Sequence, residues 1–371
     1  MDTKQDIILV SNSPGELSAL VKPVAESIAE KMKDSRIILF LTPCQYTSGK
    51  ELEYLKTIPE ITEIIPSESY KTWILRNRKP KIDFSKKGLV LYLGGDLGHA
   101  MLIARKVKYP ALAYVQDRIS WTGFYKKFFV PDAKSKRKFA RGKKIEPKIK
   151  IVGNLMVDSV NHLPQWKPES NVITFLPGSR QWQIKHMTPL YEKIIKQLKA
   201  KIPGLKVQLV SSPFQPAAEI KGAKMIDFDE AYNSELVITI PGTNTARLAA
   251  RGIPMIVVFP LDNTDVIPLE GLAHFIGKIP HLGSKFKKTL IQTLNKRIKY
   301  FALPNIKAEQ EIVPEYRGAI DIDTVVMKTI DLLQNDKLRK KMSEDLKRSM
   351  GEPGASGRIV EEINETLRQA A

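Results

Sequence analysis

The sequence predicts an α/β protein with two doubly wound parallel sheets, and three observations predict it. Strand-like runs that are apolar at every position recur along the chain, as in LVLYL at 89–93 and PMIVVF at 254–259. A strand without polar alternation is one covered on both faces. Helical patterns separate these runs, which is the alternation that builds a parallel sheet. The series pauses at 161–171, NHLPQWKPESN, a Pro-bearing polar stretch that reads as a linker, and then restarts.

Taken in order, residues 7–10 read as the first strand, and SNSPGELSALVKPVAESIAEKM as a turn followed by a helix with apolar residues near helical spacing. RIILFLT is the second strand, KELEYLKTI is helical, and a third strand lies near 62–65. A basic segment then leads to LVLYLGGD, whose apolar run ends at Asp96; ALAYV at 111–115, FFVP at 128–131 and IKIVGN at 149–154 continue the series. Beyond the linker come VITFLPG, KVQLVSS, a strand at 236–240, PMIVVFP and a short strand near 299–303. The last helix, 355–369, follows MGEPGASG and is expected to cross back to the first domain. The expected domains are therefore 1–160 and 171–352, with 353–371 as the closing segment.

Composition narrows the class. The chain has 371 residues, 43% of them hydrophobic, enough for a core in each of two domains. The longest apolar runs, IILFL and MIVVF, fall far short of the ~20 residues that cross a bilayer. The start, MDTKQDIILVSNSPGE, does not read as a secretory signal, and one cysteine, Cys44, excludes an internal disulfide, so the cytoplasm is the expected compartment. Net charge is +19 and unevenly spread: residues 125–150 hold eleven Lys or Arg against two acids, and 71–88 is similarly basic. Such a field attracts polyanions, and the expected one is an anionic membrane surface on the inner face of the cell membrane. Trp73, Ile74 and Leu75, or Phe124, Tyr125, Phe128 and Phe129, would supply its apolar half; the alternative is a solvated face. No helix-turn-helix, zinc-finger or RNP pattern is visible, so nucleic acid is the weaker partner.

Two turns carry the chemistry. VITFLPGSRQWQI (172–184) and LVITIPGTNTARLAARGIPMIVV (236–258) each end a β-branched run in a Gly turn that opens a helix, where backbone N–H groups and a positive dipole end converge. Gly178, Ser179 and Arg180 on the first, and Gly242, Thr243, Asn244 and Thr245 on the second, suit phosphate oxygens. Neither turn is a Walker loop, and GGDLGHA lacks the glycine order of a dinucleotide fingerprint. A nucleotide-linked substrate is the reading. In doubly wound sheets ligands sit beyond the carboxyl ends of strands, where SNSPGE, GGD, PGSR and PGTNT all fall, so a cleft between the halves is the expected site.

The same residues resemble lipid A disaccharide synthase and its relatives, inverting glycosyltransferases of the GT-B fold. FLPGSRQWQI is similar to that family's LPGSR segment, VGNLMVDS at 152–159 to its VGHPLVD region, TIPGTNTARLAARGIPMIVV to its SGTATLELALLGVPMVV, and ALPNIKAEQEIVPE at 302–315 to its LPNLLAGREIVPE. The MGEPGASGRIVEEI ending is similar to the closing helix of the fold. The resemblance implies that Asp96 is the catalytic aspartate, that Arg180 is the LPGSR arginine, and that Asn305 and Glu311 line the nucleotide pocket. Gly15 and Glu16 match a Gly-Asp pair in the first loop. An Asp at a strand end suits general-base work, although it also suits capping the next helix.

The sequence departs from the family at Asn12, where the first loop has an acid, and at Arg247, where the family has the Glu that holds a ribose. Glu270 is a candidate substitute, and Glu16 and His99 are the alternative bases. ILRNRKPKIDFSKK replaces the apolar acyl-binding segment, so the acceptor need not be an acylated glucosamine. The resemblance thus implies an inverting transferase taking a UDP-linked sugar to a lipid-linked or glycolipid acceptor, with no metal and no cofactor beyond the donor. An epimerase of the same fold and a non-catalytic binder of anionic lipid or a protein partner are the alternatives.

Overall fold

The computed structural model describes residues 5–44, 49–140, 144–215, 219–260 and 298–369. They divide into two compact units, Met1–His162 with Gly351–Ala371, and Leu163–Met350. The first unit holds β1 (Gln5–Ser11), β2 (Ser35–Leu41), β3 (Glu63–Ile65), β4 (Gly88–Tyr92), β5 (Ala111–Tyr114), β6 (Lys127–Val130) and β7 (Ile149–Ile151). All pair in parallel in the order β3-β2-β1-β4-β5-β6-β7. Ile8 of β1 sits between Ile38 and Val90, and these three side chains are fully buried, which is why the strands carry no polar alternation. Burying each contributes roughly 1.5–3 kcal/mol relative to exposure.

After β1 the chain turns helical at Pro14–Glu16, passes a π-helical stretch at Leu17–Val21 and continues as α1 (Lys22–Lys31). Pro14 fits the first turn, where its missing N–H has no partner to lose. The closing helix Ala355–Gln369 packs on α1. Its start is fixed by Asp158, whose carboxylate accepts from Gly354 N (2.7 Å) and Ser356 N (2.6 Å), and by Arg358, whose Nε donates to Val152 O (2.6 Å). A Cβ on Gly153, at φ +98°, would stand 2.6 Å from Arg358 Nη2, so the VGN segment needs glycine there.

The apolar half expected for the basic surface needs correction. Part of 71–88 is helical: α2 (Glu51–Leu55) is followed by α3 (Ser67–Arg76), which ends on left-handed Asn77. Trp73 on α3 is buried, stacked on Phe40 and Phe84 at 5.7 Å each. Tyr125, Phe128 and Phe129 are fully buried as well. These aromatics build the core and cannot insert into a membrane; Leu75, 80% exposed, is the apolar residue of the group left on the surface.

The second unit holds β8 (Val172–Leu176), β9 (Lys206–Val210), β10 (Lys224–Ile226), β11 (Leu236–Thr239), β12 (Met255–Pro260) and β13 (Glu315–Gly318). They too are parallel, in the order β10-β9-β8-β11-β12-β13. The strand expected near 299–303 is absent. Phe301 N and Ala302 N both donate to the Glu315 carboxylate at 2.8 Å instead of to a ladder, and Leu303–Ala308 is a short helix with Pro304 in its first turn. The sheet gains β13 further on. No described helix is long and apolar enough to cross a membrane.

Candidate functional site

Within the first unit, the loops that leave the adjacent strands β1 and β4 meet. Glu16 joins them: its carboxylate accepts from Ser13 N (3.3 Å), Ser11 Oγ (3.4 Å) and Gly95 N (3.3 Å). The fit leaves no room for a side chain, since a Cβ on Gly94 would come 2.1 Å from Glu16 Oε2. Burial raises the Glu16 pKa, against the hydrogen bonds from Ser13 and Gly95 that lower it. On the other side Asn12 donates to Pro43 O (3.4 Å), and a Cβ on Gly95, at φ +88°, would lie 2.8 Å from Asn12 Nδ2. Gly15 is partly exposed in the turn between them. The Glu16 carboxylate thus ties the first loop to the GGD turn.

That turn delivers Asp96 to the start of α4 (Leu97–Val107). Its Oδ1 accepts from Gly98 N (2.7 Å), a side-chain cap of the helix, and its Oδ2 pairs with Arg118 Nη2 at 3.1 Å. The carboxylate is about half exposed. It therefore caps and faces solvent at once, and capping alone does not occupy its second oxygen. His99 points elsewhere: its Nδ1 lies 2.7 Å from Tyr70 Oη, with the two rings edge-on at 5.3 Å. Burial lowers the His99 pKa, opposed by the Asp96 charge, and burial pushes Tyr70 up to about 12. Arg118, in the loop after β5, belongs to no motif, and its place beyond a strand's carboxyl end is the one mark it carries in the sequence.

In the second unit, the PGSR turn after β8 and the PGT turn after the adjacent β11 also meet. Gly178 has φ +109°, and a Cβ there would press Ile240 Cδ1 at 2.7 Å. Ser179 N and Arg180 N both donate to Gln183 Oε1 at 3.1 Å, at the head of α5 (Gln181–Lys201). With Arg180 rather than Ser or Thr at the cap, Gln183 supplies the third-position half of a capping box, accepting from the cap N–H. α6 (Thr243–Ala250) begins after Gly242 at φ +146°, with Thr243 and Asn244 half-buried at its start. Neither α5 nor α6 carries an acid in its first turn.

The remaining expectations separate. Thr245 is buried and structural: its Oγ1 donates to Gly242 O (2.7 Å) and accepts from Leu303 N (3.4 Å). Asn305 is fully buried, with Nδ2 on Val313 O and Glu315 Oε1 (2.8 Å each) and Oδ1 accepting from Ile312 N (2.7 Å) and Val313 N (3.0 Å). It staples its own loop and has no capacity left for a nucleotide. Glu311 is exposed nearby, and Glu315, which no local pattern marks, organises the loop. Arg247 stacks on Phe228 with its guanidinium 3.8 Å from the ring centroid. Glu270 lies outside the described residues.

The family model for lipid-A-disaccharide synthetase matches residues 156–359. A lipid-A-disaccharide synthase of Gloeothece citriformis is 22% identical over 213 residues, 53% of this chain and 50% of that one. The chain spans about half the length of the curated relatives it matches. Among solved structures, the UDP-GlcNAc 2-epimerase of Neisseria meningitidis bound to UDP-GlcNAc is similar at TM-score 0.55 and 15% identity, covering 98% of this chain and all of that one. The calicheamicin glycosyltransferase CalG4 is similar at TM-score 0.54 and 13% identity, with both chains fully covered. The two parallel sheets and these likenesses define the GT-B fold.

Proposed function

Because the chain belongs to the lipid-A-disaccharide synthetase family, we propose that it is a glycosyltransferase that moves a sugar from a UDP-linked donor to a glycolipid acceptor with inversion. The observation that carries this reading is the contrast between helix starts. Asp96 puts a half-exposed carboxylate at the head of α4, while α5 and α6 begin without acids, α5 directly after Arg180. A carboxylate suits the proton of an attacking hydroxyl, and acid-free helix starts suit an anionic diphosphate.

In the reaction so read, the acceptor oxygen forms a bond to the anomeric carbon as the bond to the diphosphate breaks on the opposite face. Asp96 takes the hydroxyl proton, and the diphosphate leaves with the electron pair, met by Arg180 and the helix starts. Ser179, Thr243 and Asn244 are the further donor contacts. The scheme needs no cofactor beyond the donor. The acceptor is met at a membrane: all Lys and Arg of 71–88 are exposed, and each near an anionic surface contributes about 1 kcal/mol.

Thermal shift against a panel of nucleotide sugars, followed by turnover with glycolipid acceptors, tests the reading. UDP and one UDP-sugar should raise the melting temperature, because a ligand of the folded state stabilises by mass action. The likeness to the Neisseria epimerase makes the competing outcome concrete. Epimerisation of the donor without acceptor would overturn transfer, and stabilisation without turnover would favour a binding protein.

A further inference from the structure

The loop between β5 and β6 holds a bulky residue in the left-handed region. Trp121 has φ +55°, an outlier for a large side chain that persists only where its surroundings impose it. They do so here. Tyr125 Oη donates to Leu97 O (2.6 Å), Lys148 Nζ to Thr122 O (2.9 Å) and Lys138 Nζ to Asp117 O (2.9 Å). Phe124 N closes the turn on Trp121 O (2.8 Å), and Arg105 covers the Phe124 ring at 5.5 Å. The backbone is braced on every side, yet Trp121 stays 53% exposed. Core packing does not account for a strained backbone that keeps an indole in water.

The ring lies at the head of α4. A Cβ on Gly98 would stand 3.5 Å from Trp121 Nε1 and 3.0 Å from Asp96 Oδ1, so glycine at 98 lets the indole and the carboxylate approach over one residue. Arg118, from the same loop, holds Asp96 Oδ2 through a half-exposed pair, the kind that contributes little to stability and yields easily to a ligand.

From this arrangement we propose that Trp121 is the platform on which the pyranose ring of the acceptor stacks, its attacking hydroxyl directed to Asp96; the proposal rests on the transferase reading above. A pyranose has an apolar C–H face and a rim of hydroxyls. Indole offers a flat apolar surface with one N–H donor, and a rigid ring loses little entropy on binding. Stacking covers the C–H face and leaves the rim hydroxyls to Asp96 and Arg118. A nucleotide base also stacks on indole, but its diphosphate would then approach the Asp96 carboxylate, whereas the rim of a sugar carries no charge.

Titration with octyl β-D-glucopyranoside, kept below its micellar concentration, tests this through indole emission and calorimetry, with UDP thermal shift in parallel. The native protein should show a saturable emission change that Trp121→Phe abolishes. Trp121→Ala should weaken glucoside binding about tenfold, as for loss of one aromatic partner, and Trp121→Phe should restore most of it. UDP stabilisation should be the same in all three. The same emission change in Trp121→Phe, unchanged binding in a folded Trp121→Ala, or no response of the native protein would each overturn the platform. Should UDP fail to stabilise any of the proteins while the glucoside response still depends on Trp121, the platform stands and the donor assignment falls.

Discussion

At the carboxyl ends of β1 and β4 the loops are fastened to one another by a carboxylate; the turn after β8 is held within itself by a neutral amide and only packs against the turn after β11. Glu16 holds Ser13 and Gly95 in the first case, and Gln183 holds Ser179 and Arg180 in the second. The backbone event is shared: a buried strand, a glycine at positive φ, a helix start. The charge placed on it is not. Asp96 neutralises the head of α4 through Gly98 N and the Arg118 pair, whereas α5 and α6 keep acid-free first turns. A helix start already satisfied by a carboxylate is a poor anion site, and one held by an amide oxygen can exchange it for a phosphate oxygen, the stronger acceptor. Two ends of like backbone geometry thus differ in the charge they present.

The contrast breaks most visibly at Asp96. Asp96→Asn keeps a helix cap, so the melting temperature should stay near native. Turnover should fall by about 10² to 10⁴, the range for losing a general base. Donor binding should survive. Near-native turnover would show that the carboxylate is only a cap.

In the second unit, Arg180→Ala and Asn305→Ala should fail in different ways. Arg180→Ala should weaken UDP binding by roughly 1.5–3 kcal/mol, as for a hydrogen bond to a charged group, with little change in stability. Asn305→Ala orphans buried partners at Ile312, Val313 and Glu315, and leaving even one such group unsatisfied costs roughly 1–3 kcal/mol. Denaturant unfolding should register that loss, while the folded fraction binds UDP as tightly as native protein. Weaker UDP binding at native stability in Asn305→Ala would return that residue to the donor pocket.

The sequence made the strands, the glycine turns and Asp96 legible because each leaves a local mark: an apolar run, a residue free to take positive φ, an acid before a helix. What it hid is organised by partners far along the chain. Nothing near Phe301 announces that its N–H donates to Glu315, so KYFAL at 299–303 reads as a strand. Trp73 stands in a run of basic residues and read as surface, although Phe40 and Phe84 enclose it. Asn305 matched a motif correctly and still took a task the match did not imply, because the hydrogen bonds that saturate it come from seven to ten residues downstream.

The smallest expected effect is the one that separates a held turn from a waiting one. Gln183→Ala removes the oxygen that accepts from Ser179 N and Arg180 N and should lower stability by roughly 0.5–2 kcal/mol, as for loss of a helix cap. If a phosphate oxygen replaces Gln183 when the donor binds, UDP restores in the variant what the mutation removed. Its thermal shift with UDP should then exceed that of the native protein, since the bound states are closer in stability than the free ones. Measured at saturating UDP, equal shifts would mean that Gln183 keeps both amides throughout. The diphosphate would then rest on Arg180 and the start of α6 alone, and Gly178 would serve only the close packing against Ile240.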